Sequence, residues 1–234
     1  MTIPTAVASE EEWNSKREAL LVKEKELTRA RDALAAERRR LPLVAIEKDY
    51  RFEDPAGEVG LLDLFDGRRQ LIVYRFFLDP SMDIASYPED GCPGCSMFAD
   101  NLPNLTHVNA RDTTLVFVSA GSQGAIQEYR KRMGWDLPWY TTLDDFSADF
   151  DVPEYWGVNV FVRNGDQIYR SYFTSGRAAE DLSGVWGLLD ITPFGRQEGW
   201  QDAPEGVPQD RTGSWVRRHD EYTAEELAGG RTSA

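Results

Sequence analysis

Cys92 and Cys95 are the two cysteines of the chain, and Pro-Gly separates them. An apolar run at residues 71–78 precedes them, and a loop at residues 79–91 connects the two. A stretch compatible with a helix follows at residues 96–108. A Cys-x-x-Cys pair between a buried strand and a helix is typical of a redox dithiol. The start of a helix has unpaired N–H groups and a positive dipole end, which favour a thiolate over a thiol.

The position of each cysteine predicts its role. Cys92 lies outermost at the expected start of the helix, so we assign it as the attacking thiolate. Cys95 follows about one turn later, where it is more buried and can resolve a mixed disulfide. We therefore predict Cys92 and Cys95 as the catalytic residues. Their substrate would be a protein or small-molecule thiol or disulfide.

Three other interpretations of the cysteine pair remain open. Half of a zinc site would need two further ligands, and His107 and His219 do not form a second ligand pair. A structural disulfide would close a very short ring and constrain little. The two cysteines could also be inert and buried. We predict no metal and no cofactor.

Other residue types near the cysteines could contribute to a site. Arg75 interrupts the apolar run and could stabilise a thiolate or bind an anion, or else pair with a carboxylate at a strand edge. Asp100 is expected to face solvent or cap a loop, and His107 is expected to have a surface or packing role. His219 lies in a charged segment that is most simply solvated or ion-paired. An aromatic cluster could be core or could form an apolar wall beside the dithiol; it comprises Trp135, Trp139, Tyr140, Tyr155 and Trp156.

Composition excludes several classes of partner. Lys and Arg number 26 against 40 Asp and Glu, so the net charge is −14. This charge argues against nucleic acid and anionic membranes as partners, because both need a basic surface. Residues 1–6 lack the basic and apolar regions of a secretory signal, and no apolar run is long enough to span a membrane. We therefore predict a cytoplasmic location, where dithiols are kept reduced.

A long helix is predicted over residues 9–40. Ser9 and Glu12 have the spacing of a capping box, and Pro42 ends the helix. Apolar residues recur every seven positions, at Trp13, Leu20, Leu27, Leu34 and Leu41. A self-sufficient coiled coil needs two such columns, so we expect this one to pack on its own domain or on a second subunit, which would make a homodimer.

The central part of the chain alternates strands and helices. Buried strands at residues 71–78 and 113–119 flank the first helix, and a second helix follows at about residues 123–133. This order predicts a parallel pair of strands with a right-handed crossover. Asn164-Gly165 predicts a hairpin between strands at residues 158–163 and 167–173. The last helix is expected at residues 181–189.

The chain resembles a family of predicted dithiol-disulfide oxidoreductases known as domain of unknown function 899. The matching pieces are LIVY at 71–74, GCPGCS at 91–96, ADN at 99–101, LDITPFGR at 189–196 and WVRRHDEY at 215–222. The resemblance implies an α/β thioredoxin-like fold, and residues 137–144 and 150–152 resemble its peroxiredoxin-type elaboration. It implies thiol-disulfide oxidoreductase chemistry but no known substrate. The expected organisation is a helical arm (1–42), a thioredoxin-like domain (43–191) and an irregular C-terminal extension packed on the domain (192–234).

The chain departs from the thioredoxin pattern in two places. Gly91 occupies the position where thioredoxins have a tryptophan, and no proline occurs at residues 157–159, where their cis-proline is expected. Two alternative functions follow from the fold: a peroxiredoxin-type thiol peroxidase and a non-catalytic binding module. The peroxidase would need Thr or Ser three residues before the reactive cysteine, and Glu89 is there instead.

Overall fold

The computed structural model describes residues 6–78, 91–152 and 155–227. The predicted loop at residues 79–91 therefore lies outside the described residues, apart from Gly91, and so does Glu89. Within the described parts, a long helix leads into an eight-stranded sheet, and an extension with little regular structure follows.

The N-terminal arm is one helix, α1 (Glu10–Arg38), as predicted. The Ser9 side chain caps it by accepting a hydrogen bond from the Glu12 N–H at 3.2 Å. No residue of α1 is buried, and its heptad column is exposed. The predicted packing of this column on its own domain is therefore wrong, because its side chains are exposed. A polar side chain of α1, Arg31, contacts the domain instead and pairs with Asp181.

The sheet and the remaining helices have the following bounds. The strands are β1 (Val44–Ile46), β2 (Arg51–Asp54), β3 (Gly57–Gly60), β4 (Gln70–Arg75), β5 (Thr113–Ser119), β6 (Trp139–Thr142), β7 (Gly157–Asn164) and β8 (Gln167–Thr174). The helices are α2 (Pro93–Asp100), α3 (Thr106–Asn109), α4 (Gln123–Met133), α5 (Phe146–Asp149), α6 (Gly184–Asp190) and α7 (Ala224–Leu227). Two 3-10 helices cover Asp63–Phe65 and Gly176–Leu182.

The strand order is β1-β8-β7-β4-β5-β6-β2-β3. Strand β4 pairs parallel with β5 and antiparallel with β7, and β7 forms a hairpin with β8. This arrangement around the strand that precedes the cysteines is the thioredoxin-like fold. Strand β6 adds a further parallel neighbour to β5, which is the peroxiredoxin-type elaboration.

Two apolar layers cover the faces of β4. Leu71 and Val73 pack on one face with the core of β2 and α5, whereas Ile72 and Tyr74 pack on the other with α2 and α4. Successive side chains of a strand point to opposite faces, and a strand covered on both faces is apolar throughout. The second layer includes both cysteines.

The helix after the cysteines is shorter than predicted. Helix α2 ends at Asp100, and α3 starts only at Thr106, so residues 96–108 are not one helix. Pro103 explains the break, because proline has no N–H for the helix ladder and its ring clashes with the carbonyl four residues earlier.

The C-terminal half agrees with the predicted order of elements. The hairpin is present, with Gly165 in the left-handed region at φ +59°, the conformation that the turn requires. The last predicted helix is instead the 3-10 helix Gly176–Leu182 followed by α6. Beyond α6, the described extension has only the short helix α7. No helix among the described residues is long and apolar enough to cross a membrane.

Candidate active site

Cys92 is the N-cap of α2, and Pro93 occupies the first helical turn. The Cys92 sulfur accepts a hydrogen bond from the Cys95 N–H at 3.4 Å. An N-cap acceptor satisfies one of the free N–H groups at a helix start, and here that acceptor is a sulfur rather than an oxygen. The predicted position of the two cysteines at the start of a helix is therefore confirmed.

The two thiols have different environments and opposite pKa shifts. A hydrogen bond from the Cys95 side chain is the main cause that lowers the pKa of Cys92 to about 7, and the N–H groups of Cys95 and Gly94 and the charge of Arg218 add to it. Burial raises the pKa of Cys95 well above its ordinary value. Cys92 is half-buried, whereas Cys95 is 1% exposed. One thiol is therefore accessible and acidic, while the other is buried and holds its proton.

Arg218 comes from the C-terminal extension and is buried against the cysteine turn. Its guanidinium donates hydrogen bonds to the Gly91 carbonyl oxygen and to the Tyr129 hydroxyl, the latter at 3.1 Å. A third hydrogen bond to Glu221 at 2.6 Å holds the side chain from the outer end. Sequence reasoning treated this charged segment as a solvated or ion-paired surface, and for Arg218 the solvated alternative is wrong.

The hydroxyls beneath Cys92 form a directional chain. Ser96 Oγ donates to the Cys92 carbonyl oxygen at 2.8 Å, and the same Oγ lies 2.8 Å from the Tyr129 hydroxyl. Since Arg218 donates to Tyr129, the Tyr129 proton is free to be donated to Ser96. Burial raises the pKa of Tyr129 to about 12, which keeps that proton in place.

The backbone conformation and the close neighbours of residue 91 explain why it is a glycine. Its φ is +70°, and a Cβ there would lie 3.1 Å from Phe76 Cε1 and 3.2 Å from Tyr129 Cζ. A tryptophan side chain, as thioredoxins have at this position, cannot fit between these rings. The Gly91 carbonyl is instead an acceptor for Arg218.

Arg75 is the last residue of β4. Its guanidinium lies 5.6 Å from the ring centroid of Phe77, a residue of the apolar layer that includes the cysteines. Its guanidinium donates to the carbonyl oxygens of Phe76 and Tyr155 at 3.2 and 3.0 Å. The expectation of a strand-edge arginine is wrong, because β4 is a central strand. Tyr74, on the cysteine face, was missed by sequence reasoning although the two-residue alternation pointed to it.

The remaining polar candidates, Asp100, His107 and His219, lie on the surface of the protein. Asp100 is exposed, as expected, and its carboxylate accepts a hydrogen bond from Trp135 Nε1 and lies 2.8 Å from His219 Nδ1. The expected ion pairing of the His219 segment is confirmed by Arg132, which binds Asp220 at 2.7 Å. His107 is exposed on α3, as predicted. Among the described residues, no three His, Cys, Asp or Glu side chains converge as metal ligands.

A cavity of about 420 Å³ opens onto Cys92. One wall consists of the cysteine turn and the apolar residues behind it, Tyr74, Pro93, Gly94, Met97 and Phe98. The opposite wall comes from the 3-10 helix Gly176–Leu182, from α6 and from the C-terminal extension, and includes Trp186, Glu198 and Val216. The volume lies within the range of small-molecule sites, about 300–1,000 Å³.

The predicted aromatic cluster divides between core and cavity. Trp139 is 2% exposed and donates to Ser119 Oγ at 2.9 Å, so it is core. Trp156, which directly precedes β7, lines the cavity and stacks with Tyr74 at 5.9 Å between ring centroids. Trp186 completes the aromatic wall; sequence reasoning missed it because nothing local indicates that α6 returns to the cysteines.

These features define a thioredoxin-like protein with two free cysteines at the start of the helix that follows its central strand. The model of a bacterial protein family of unknown function, DUF899, matches residues 2–222, and the chain belongs to this family. The resemblance noted from the sequence motifs is thereby confirmed. No curated protein matches the chain.

Several solved structures are similar to this chain at low identity. One is a candidate protein disulfide isomerase from Bacteroides thetaiotaomicron, with 15% identity, coverage of 65% of this chain and 91% of that chain, and a TM-score of 0.39. The yeast mitochondrial 1-Cys peroxiredoxin has 16% identity, 64% and 78% coverage, and a TM-score of 0.35. A thioredoxin-like protein from Aeropyrum pernix has 12% identity, 68% and 97% coverage, and a TM-score of 0.34. The fold assignment rests on strand order and on the placement of the cysteines.

Proposed function

We propose that this protein is a thiol-disulfide oxidoreductase that uses Cys92 and Cys95 as its dithiol. The observation that carries the proposal is the unequal environment of the two thiols. Cys92 is half-buried beside a cavity, and the pKa of its thiol is lowered to about 7. Cys95 is buried, and the pKa of its thiol is raised. A reactive thiolate next to a protected thiol is what a two-step exchange needs.

The reaction has two balanced steps. The Cys92 thiolate attacks one sulfur of a substrate disulfide, forms a mixed disulfide and releases the other sulfur as a thiolate. Cys95 then loses its proton and attacks the Cys92 sulfur, which releases the second substrate thiol and leaves a Cys92–Cys95 disulfide. Two electrons pass from the dithiol to the substrate, and an external thiol reductant restores the dithiol.

Because Cys95 keeps its proton, it does not attack until Cys92 has formed the mixed disulfide. While Cys92 is a thiolate, the neighbouring Cys95 proton stabilises it by hydrogen bonding. Once Cys92 is in a mixed disulfide, its negative charge is gone, so the electrostatic barrier to ionising Cys95 falls. The attack by Cys95 is therefore favoured only after substrate has reacted.

Trapping of the mixed disulfide tests the proposal. In Cys95→Ser, a disulfide substrate should accumulate as a stable adduct on Cys92, detected by intact mass and peptide mapping. Cys92→Ser should form no adduct, and the wild-type protein should end as an internal disulfide. Adducts on Cys95 in Cys92→Ser would reverse the roles. A wild-type protein that neither cycles between dithiol and disulfide nor reduces any disulfide would be a non-catalytic binding module.

A further inference from the structure

The cavity beside Cys92 is closed on its far side by segments that follow the thioredoxin-like sheet. The 3-10 helix Gly176–Leu182 and α6 contribute residues to this wall, and the extension contributes Glu198, Gly213 and Val216. A disulfide of a folded protein can reach Cys92 only if the backbone on both sides of its cysteines also enters the cavity. A walled cavity beside the reactive sulfur favours a ligand small enough to enter it.

The far wall is held in place by buried ion pairs and hydrogen bonds. Arg196, 8% exposed, binds both carboxylate oxygens of Asp190 at 2.8 and 2.7 Å and Glu180 at 2.7 Å. The Arg196 guanidinium lies 4.7 Å from the ring centroid of Trp186. A bidentate pair with this geometry fixes the direction of α6 relative to the extension, and hence the position of Trp186.

Glu198 organises the extension around a buried carboxylate. It is 2% exposed, and it accepts hydrogen bonds from the indole N–H groups of Trp200 and Trp215 at 2.7 and 2.9 Å and from the Gly213 N–H at 2.8 Å. Trp215 packs edge-on against Trp186 with ring centroids 5.5 Å apart. These contacts support the Trp186 wall from behind.

The chemistry of the lining indicates which small molecules fit. Four aromatic side chains line the cavity, namely Tyr74, Phe98, Trp156 and Trp186. Its charged residues are Arg177, Glu180 and Glu198, and Arg177 lies 3.5 Å from Glu180. Aromatic faces stack on flat apolar groups, and a surplus of carboxylates repels anions.

We propose that the cavity binds a low-molecular-weight disulfide with an uncharged aromatic or apolar body, and that Cys92 reduces this class in preference to protein disulfides. The inference rests on the proposed dithiol chemistry and adds the substrate class. The thiolate of Cys92 attacks the near sulfur, the far half leaves as an aromatic thiolate, and attack by Cys95 releases the second half as a thiol. The two halves carry away the two electrons of the dithiol.

Reaction rates with matched probes test the preference. The reduced protein is mixed with 4,4′-dithiodipyridine, oxidised glutathione or insulin, and each rate constant is divided by that of N-acetylcysteine with the same disulfide to remove intrinsic reactivity. We expect the normalised rate for 4,4′-dithiodipyridine to exceed those for anionic oxidised glutathione and insulin by about tenfold or more. An equal or higher normalised rate for insulin or oxidised glutathione would overturn the proposal.

Variants at Trp186 connect the preference to the cavity wall. Trp186→Ala should lower the normalised rate with 4,4′-dithiodipyridine by about fivefold, since one aromatic contact is lost. Trp186→Phe keeps an aromatic face and should stay close to the wild-type rate, which guards against a folding defect in the alanine variant. Leu143→Ala is the control, because Leu143 is exposed and does not line the cavity, and it should leave the normalised rate unchanged. An unchanged preference in Trp186→Ala would contradict a role for this wall.

Binding without reaction separates this inference from the proposed function. The double variant Cys92→Ser, Cys95→Ser is titrated with 4,4′-dipyridyl sulfide, which has no disulfide to react, and binding is followed by calorimetry. Saturable binding of 4,4′-dipyridyl sulfide that becomes weaker when Trp186→Ala is added supports the aromatic site. This conclusion holds even if the wild-type protein proves redox-inactive. Redox activity without such binding would leave the dithiol function standing and refute the aromatic site.

Discussion

The guanidinium of Arg218 donates a hydrogen bond to the carbonyl oxygen of Gly91, the residue immediately before the reactive cysteine, across 127 positions of sequence. The same guanidinium contributes to the lowered pKa of Cys92. The C-terminal extension therefore contacts the backbone beside Cys92 and adds a favourable charge to the surroundings of its sulfur.

Loss of Arg218 should raise the pKa of Cys92. With a folded pKa of about 7, the wild-type rate of Cys92 alkylation by iodoacetamide should rise with pH through a midpoint near 7 and then level off. Below that midpoint the sulfur is protonated and unreactive. Arg218→Ala should move the midpoint upward, and Arg218→Lys should move it by less, because an opposite charge favours the ionised form.

Arg217→Ala is the matched control for this measurement. Arg217 precedes Arg218, its guanidinium donates to the Ser214 carbonyl at 2.7 Å, and its side chain is 41% exposed. Its removal should leave the alkylation midpoint in place. A midpoint that stays near 7 in both Arg218 variants would show that the helix start and Cys95 alone set the pKa of Cys92.

Tyr129→Phe should destabilise the fold through Arg218. Removing the hydroxyl leaves a buried guanidinium N–H without its acceptor, which costs about 1–3 kcal/mol of unfolding free energy. Urea unfolding of the reduced protein measures the change. Tyr155→Phe serves as control, because Tyr155 is 58% exposed and its loss should be within about 0.5 kcal/mol. Equal stabilities of the two variants would exclude a structural role for the hydroxyl chain.

Gly91→Ala should cost more stability than Gly67→Ala. Both glycines have positive φ, +70° and +77°, so each alanine incurs the left-handed strain of about 1–2 kcal/mol. A Cβ at Gly91 also approaches Phe76 and Tyr129 to within 3.2 Å, whereas a Cβ at Gly67 meets nothing within 4 Å. Urea unfolding of both variants isolates the packing contribution, and similar losses would mean that the rings relax freely.

The N-terminal helix is expected to pair with a second copy in antiparallel orientation. Its column is exposed, with Trp13 at 60%, Leu20 at 51% and Leu27 at 54%. The first turn carries Glu10, Glu11 and Glu12, and the helix ends at Arg38, which Arg39 and Arg40 follow. Antiparallel pairing places each acidic start beside a basic end and opposes the helix dipoles favourably.

Light scattering after size-exclusion chromatography measures this association. The wild-type protein should be a dimer that weakens at high salt, since the end-to-end attraction is screened. Leu20→Glu with Leu27→Glu should be a monomer with unchanged reactivity of Cys92. Lys25→Glu is the control and should remain a dimer, because Lys25 is exposed two residues from Leu27 and therefore lies on the opposite side of α1. A monomeric wild-type protein at high concentration would contradict the pairing.

Local sequence signals predicted two elements of the core that packs around the cysteines. Strand β5 and helix α4 have the predicted bounds, because a continuous apolar run and a Ser–Gly cap pair are short-range features. The predicted helix at residues 96–108 was wrong at Pro103, although the sequence contained the reason for the break.

By itself the sequence determined a Cys-x-x-Cys pair at the start of a helix, behind a central apolar strand, because caps, proline positions and side-chain alternation act over a few residues. Only the tertiary structure decided which residues surround Cys92. Arg218, Trp156 and Trp186 reach the site from distant segments whose path depends on buried contacts such as those of Arg196 and Glu198. Such contacts have no local periodicity, and a buried charge looks like a surface charge until its partners are brought to it.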